Sequence, residues 1–296
     1  MFQGLLIIFC FLIIGYAMKL AKKDYSEQLM HFCINIAFPA LIIHKLYPLK
    51  LSVADLLIVP IAVLSIFIGF LFGFLFSSIL KTKRETTAVI IMASGLGNTS
   101  FVGFPFVEAL FGSNSLGYAL IFDQFGSFLT LSLAGSMIAA WGAQKTSSTG
   151  KLIKSFILFP PFLAIMVAIF LKIFVLPEFF LSGVEKLSAV LLPIVTIAVG
   201  MKIDIRHIKQ TMTSTSMILV SKMLMVPLFI YILLLPFGVL DKEPFRVALI
   251  ESAMPPMVMV VVFASRYGLD KELAVSAVAL GIFISFATMP ILYFMI

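Results

Sequence analysis

The sequence predicts an all-α integral membrane protein of ten transmembrane helices, arranged as two inverted five-helix repeats with interrupted helices at positions four and nine. Three observations predict it: extreme apolar content, alternation of positive charge between successive loops, and a matched pair of Gly/Pro interruptions about half a chain apart.

Of 296 residues, 61% are hydrophobic and 12% charged, and the mean hydropathy is +1.16. Soluble domains run at about 45–50% apolar and about 25% charged, so most of this chain belongs in lipid. A span takes about 20 apolar residues, roughly 30 with its loop, which leaves room for about ten spans and no sizeable soluble domain.

Apolar runs between polar punctuation set the elements in order. The first half gives Phe2 to Leu20, Gln28 to Tyr47, Ala54 to Leu80, Thr86 to Phe111 and Leu116 to Trp141; the second gives Leu152 to Leu176, Val184 to Lys202, Met212 to Val239, Phe245 to Tyr267 and Leu273 to Met295. The first run meets its first positive charges only at Lys19, Lys22 and Lys23, so it reads as a span rather than a cleaved signal peptide.

The odd-numbered loops of this scheme hold fourteen of the Lys and Arg residues and the even-numbered loops six, with Lys222 inside a span. Positive residues stay on the cytoplasmic side, so the odd loops are expected inside and both termini outside, in a cell inner (plasma) membrane. The net charge of +7 is spread over short clusters with no basic tail, which points to orientation signals and not to nucleic acid. Cys10 and Cys33 fall inside apolar runs and behave as small hydrophobes.

Five spans per half would make the halves face opposite ways. Pro39 interrupts the second span and Pro193 the seventh; the fourth is broken by Gly95, Gly97, Gly103 and Pro105, and the ninth by Pro255 and Pro256. Matched interruptions in two inverted halves point to a transporter binding site, because backbone amides and carbonyls freed at a break can hold ions or solute. A single such kink would be unremarkable; the pair favours a site.

Ionisable groups at membrane depth cost about 2.5–3.5 kcal/mol on insertion scales, so each is a functional candidate. Glu251 stands one turn before Pro255 and could bind a cation, with Lys222 a partner or a charge for the cavity. Asp123 and Gln124 lie within the fifth span, and Asp123, Ser127 and Thr130 form an oxygen-bearing face suited to a hard cation such as sodium, with a structural hydrogen-bond seam as the alternative. Asn98, Thr99 and Ser100, at the fourth-span break, could bond a carboxylate without supplying charge. Asn35 reads as interhelical glue. His31, His44 and His207 show no metal-ligand spacing and no HExxH, so an intramembrane metalloprotease is disfavoured.

The segment LGNTSFVGFP followed by EALFG, with AMPPMVMVVVFASRYGLDKELAVSAVALG later, resembles the signature of the auxin efflux carrier family. Pro39 with His44, and KLSAVLLPIVTIAVGMKI, extend the resemblance over essentially the whole chain. It implies a scaffold of spans 1, 2, 6 and 7, a transport domain of spans 3–5 and 8–10, and a substrate site where spans 4 and 9 cross. It also implies an organic anion as cargo, indole carboxylates or malate and malonate, with Asn98 as the substrate asparagine and Pro255 as a crossing proline.

Two positions depart from the plant pattern. Gly97 stands where the other crossing proline would be, so that break is expected to rely on glycine flexibility. Glu251 replaces a glutamine and instead resembles the ninth-span glutamate of the more distant bile acid:sodium symporters, with Asp123 and Ser127 at comparable spacing.

The sequence thus leads to a secondary carrier with elevator-like alternating access and no enzymatic activity. The first repeat is residues 1–145 and the second 146–296. Asn98, Thr99, Ser100, Pro255, Pro256 and Lys222 are expected at the solute, and Glu251, Asp123 and Ser127 at sodium or a proton. No organic cofactor is expected, a sodium ion aside. The expected partners are an organic anion, the lipid bilayer and a second copy joined through the scaffold. An uncoupled uniporter or channel-like pathway is the alternative, ahead of a receptor or an intramembrane enzyme.

Overall fold

A computed structural model describes residues 2–49, 55–144, 158, 160–204, 206 and 208–296. Ala54, Leu152 and His207, the loop charges Lys50, Lys145, Lys151 and Lys154, and most of the linker between the halves lie outside the described residues.

Among those residues the fold is all-helical, with one isolated antiparallel bridge in place of any sheet. The elements are α1 (Phe2–Leu20), α2 (Ser26–Leu46), α3 (Ile58–Ile79), α4 (Arg84–Gly95), α5 (Thr99–Phe111), α6 (Ser113–Gly142), α7 (Pro160–Leu171), α8 (Glu178–Lys202), α9 (Ile208–Phe237), α10 (Glu243–Ser252), α11 (Val258–Tyr267) and α12 (Lys271–Met295). Seven of them, α1, α2, α3, α6, α8, α9 and α12, are long and apolar enough to cross a membrane, and α5, α7 and α11 are shorter apolar helices. The surface is apolar as well, with Phe67, Leu71 and Phe74 on α3 and Phe294 on α12 more than half exposed, as expected of side chains that face lipid.

Element boundaries depart from the sequence expectation for local reasons. The helix expected from Val184 begins at Glu178, because Pro177 holds the extended conformation of the residue before a helix and an acidic residue opens the first turn. Within the stretches Thr86 to Phe111 and Phe245 to Tyr267, where interruptions are expected from the sequence, non-helical gaps lie at residues 96–98 and 253–257.

Prolines leave a recurrent mark. Widened π turns at Cys33–Ala37, Thr99–Gly103 and Ser221–Met225 each end two residues before a proline: Pro39, Pro105 and Pro227. Proline lacks an N–H and its ring crowds the carbonyl one turn back, and widening the preceding turn accommodates both. Two further π turns, Phe122–Phe128 and Leu131–Gly135, lie in α6.

Helices approach closely where side chains are absent, the usual means of packing in lipid. On α1 and α8, Gly15 faces the Ile197 carbonyl and Gly200 the Leu12 carbonyl; a Cβ on Gly15 would fall 2.9 Å from the Ile197 carbonyl carbon and 3.0 Å from the Met201 nitrogen. Gly69 of α3 lies as tightly on α4, where a Cβ would come within 2.6 Å of the Gly95 Cα. Gly15→Leu is therefore expected to force α1 off α8 at a cost of about 1–3 kcal/mol, read as a lower thermal midpoint in detergent.

At the ends of α1 and α8 farthest from the N-terminus, Lys19 Nζ donates to the Ile203 carbonyl at 2.6 Å and lies 3.8 Å from Asp204. Arg206 hydrogen-bonds the same carboxylate, and its guanidinium, with help from Lys19, holds Asp204 well below the usual carboxylate range.

Candidate functional site

The two non-helical gaps meet. α4 stops at Gly95 and α10 at Ser252, and the strand-like stretches that follow run antiparallel, with Gly97 opposite Pro256. The Asn98 amide donates to the Pro255 carbonyl at 2.7 Å, and the Met257 amide donates to the Leu96 carbonyl at 2.9 Å. A backbone break inside a bilayer strands polar groups at several kcal/mol each, and here each break satisfies the other. Pro255 and Pro256 have no amide to strand, which suits them to this pairing.

Gly97 leaves room for a side chain and does not adopt a backbone conformation reserved for glycine. Its φ is not positive, since only Gly112, Gly238 and Gly268 among the described glycines lie in that region. A Cβ at Gly97 would instead stand 3.0 Å from Lys222 Cε and 3.1 Å from Nζ. Lys222, in the π turn of α9, reaches under the crossing and hydrogen-bonds the Ser252 carbonyl at the C-terminal end of α10. That is the negative end of a helix dipole, a natural seat for an ammonium.

On the other side of the junction, the Asn98 carbonyl accepts from the Val102 amide (3.2 Å) and the Gly103 amide (2.9 Å), fixing the start of α5. Its side chain is buried and Nδ2 has no hydrogen-bond partner. Thr99 Oγ1 donates to Asp123 Oδ1 at 2.5 Å, and Gln124 Nε2 donates to Asp123 Oδ2 at 2.6 Å, leaving Gln124 Oε1 buried and unpartnered. Asn98, Ser100, Asp123 and Gln124 supply the polar wall of a cavity of about 90 Å³, and Ile34 and Phe38 of α2, Phe101, Phe128, Leu131, Met257 and Met259 supply the apolar wall. Lys222 is not in that wall.

Glu251 is fully buried in α10, and neither carboxylate oxygen has a hydrogen-bond partner. It lies in the notch left by Gly103, where a Cβ would fall 2.8 Å from Oε1. The ion pair with Lys222 considered from sequence does not form within 4.0 Å; the ammonium takes the Ser252 carbonyl, although the two charges remain within electrostatic reach. Asp123 is likewise within electrostatic reach of Glu251. Ser127 Oγ, in the π turn that carries Asp123, is buried without a partner. Among the described residues no cluster of three His, Cys, Asp or Glu groups is present.

Of the helix-break residues, Gly95 packs on the Phe70 ring, with a Cβ there 2.5 Å from Cε1, and Pro105 faces a second, open cavity of about 660 Å³. That vestibule is bounded by Gly4 of α1, His44 and Lys45 of α2, Glu108 of α5 and Glu185 and Thr196 of α8. Sequence reasoning places Gln124 beside Asp123 in the fifth span without giving it a role, and does not single out Glu108 or Glu185. Glu108 lies one turn before Gly112, where it reads as a helix-end charge.

The chain matches the family described as "Membrane transport protein" over residues 1–293. It belongs to the auxin efflux carrier family of membrane transporters. It is 26% identical over 287 residues to an uncharacterized transporter of Methanocaldococcus jannaschii, covering 92% of this chain and 91% of that one. It is 25% identical over 302 residues to an uncharacterized transporter of Methanothermobacter thermautotrophicus, covering 98% and 96%. The chain is thus a multi-pass membrane protein of a transporter family and not an enzyme.

Proposed function

We propose that this transporter is a secondary carrier of a small organic anion, a carboxylate, held at the cavity beside Asn98. The observation that carries the reading is the buried, unpartnered Asn98 Nδ2, placed in a cavity wall where two helix breaks pair. A donor in that position is complementary to a carboxylate oxygen, and charge-assisted hydrogen bonds are about twice as strong as neutral ones. Thr99 holds Asp123 in place, Ser100 faces the cavity, and Pro255 and Pro256 shape the junction.

Transport is coupled to sodium or protons through Glu251, with Asp123 and Ser127 contributing oxygens. The support is a carboxylate with two unpartnered oxygens at full burial, an arrangement that invites a cation or a proton. The chain forms two inverted five-helix repeats, residues 1–145 and 146–296, with both termini outside the inner membrane. Spans 3–5 and 8–10 carry the site past a scaffold of spans 1, 2, 6 and 7 in an elevator-like motion, and a second copy docks through that scaffold. The vestibule between α1, α2 and α8 on one side and α5 on the other fits such a moving boundary.

An uncoupled uniporter is the second reading, favoured by the Lys222 ammonium already seated at the carbonyl end of α10. Flux of labelled malonate, propionate and L-alanine into proteoliposomes separates the two. A sodium or proton gradient is expected to raise the flux of the transported solute several-fold; equal flux under every gradient would leave only the uniporter.

A further inference from the structure

We propose that the solute is amphoteric, a compact carboxylate that also carries an ammonium group in the manner of a short amino acid, and not a dicarboxylate. This rests on the reading of the Asn98 cavity as the solute site.

Two residues of the cavity wall carry unmet hydrogen-bonding demands of opposite kind. Asn98 Nδ2 is a buried donor without an acceptor, and Gln124 Oε1 is a buried acceptor without a donor. The orientation of the Gln124 amide is fixed by chemistry: its other end meets Asp123 Oδ2 at 2.6 Å, and an ionised carboxylate only accepts, so Nε2 must face it and Oε1 must face away. A carboxylate alone satisfies Asn98 and leaves Gln124 unmet. A solute that adds an N–H donor satisfies both, and a site built to pair a donor rejects analogues that lack it.

Charge points the same way. The polar wall consists of Asn98, Ser100, Asp123 and Gln124, and it contains a carboxylate but no Lys, Arg or His. Asp123 accepts from Thr99 on one oxygen and from Gln124 on the other, with the Ser100 hydroxyl a third donor beside it, and a carboxylate has about four acceptor positions, so one remains for an ammonium. Lys222, the basic group at the crossing, lies against Gly97 with its ammonium on the Ser252 carbonyl, outside the wall. A dicarboxylate would set a second negative charge beside Asp123 with no basic side chain in the wall to meet it.

The cavity volume of about 90 Å³ is the space of about three waters, which restricts the solute to a small molecule.

The test is a thermal-shift series on the purified full chain with glycine, L-alanine, propionate and malonate at equal ionic strength, paired with counterflow of labelled L-alanine in proteoliposomes. Glycine and L-alanine are expected to raise the midpoint and propionate and malonate to leave it unchanged. Gln124→Met, close in shape but lacking the acceptor, is expected to weaken L-alanine by about tenfold or more. A shift with malonate or propionate as large as with L-alanine would overturn the amphoteric assignment and leave the organic-anion carrier standing. If no carboxylate of either kind shifts the midpoint and L-alanine shows no counterflow, both fall together. Unchanged L-alanine affinity in Gln124→Met also overturns the assignment, and if that variant does not fold, the four-solute series on the native chain decides.

Discussion

Asn98→Ala is expected to weaken carboxylate binding by roughly ten- to a hundredfold, the loss of one buried hydrogen bond to a charged group, while leaving the protein folded. The separation of effects follows from what each part of Asn98 does. Its amide and carbonyl tie the two breaks together, through Pro255 on one side and through Val102 and Gly103 on the other, and an alanine makes the same backbone bonds. Its Nδ2 has no partner, so truncation removes a buried unsatisfied donor and takes nothing from the fold. The midpoint without solute should therefore be unchanged or slightly higher, and the solute-induced shift should vanish. A variant that folds and transports at the native rate would remove Asn98 from the site.

Glu251→Gln is expected to raise stability and abolish dependence on an ion gradient. Two unpartnered carboxylate oxygens at full burial are a standing cost, and a neutral amide of the same shape lowers it, by about 1–3 kcal/mol. A stabilising substitution that removes function marks a site where stability has been given up for activity. Gly103→Ala supplies the complementary variant: the new Cβ would lie 2.8 Å from Glu251 Oε1, so the carboxylate is dislodged while its charge is kept. Both variants should lose gradient-driven flux, with the midpoint rising in one and falling in the other. Retained gradient dependence in Glu251→Gln would leave coupling to some other group.

In the proposed scheme, coupling and solute selection occupy adjacent but separate positions. Glu251 lies in the Gly103 notch, and Asn98, Ser100, Asp123 and Gln124 face the cavity, with Asp123 close enough to sense the Glu251 charge. The π turn that carries both Asp123 and Ser127 is a local widening within reach of small rearrangements, which fits a residue that must respond to what binds on either side.

Some of this was open to reading in the chain alone. Apolar content and span length dictate a helical membrane protein, because lipid offers no partner for a backbone that does not satisfy itself. The Asn-Thr-Ser run after Gly97, the paired prolines and the lone Glu251 mark the candidate site through their cost at membrane depth.

Local signals could not say what these groups meet. That the breaks at 96–98 and 253–257 pair with each other, that Gly97 makes room for Lys222 and not for an unusual φ, and that Lys222 takes a carbonyl in preference to Glu251 are all contacts between helices distant in sequence. Gln124 is visible beside Asp123 in the fifth span but has no legible role there, because a glutamine in an apolar run carries no periodic or charge signal; only its side-chain orientation, fixed by Asp123, exposes an unmet acceptor. The sequence by itself determined that the chain lives in lipid and where its polar groups lie along it. The tertiary structure decided which of those groups satisfy one another and which are left unpartnered, because hydrogen bonds at membrane depth are settled by the neighbouring helix and not by the next residue.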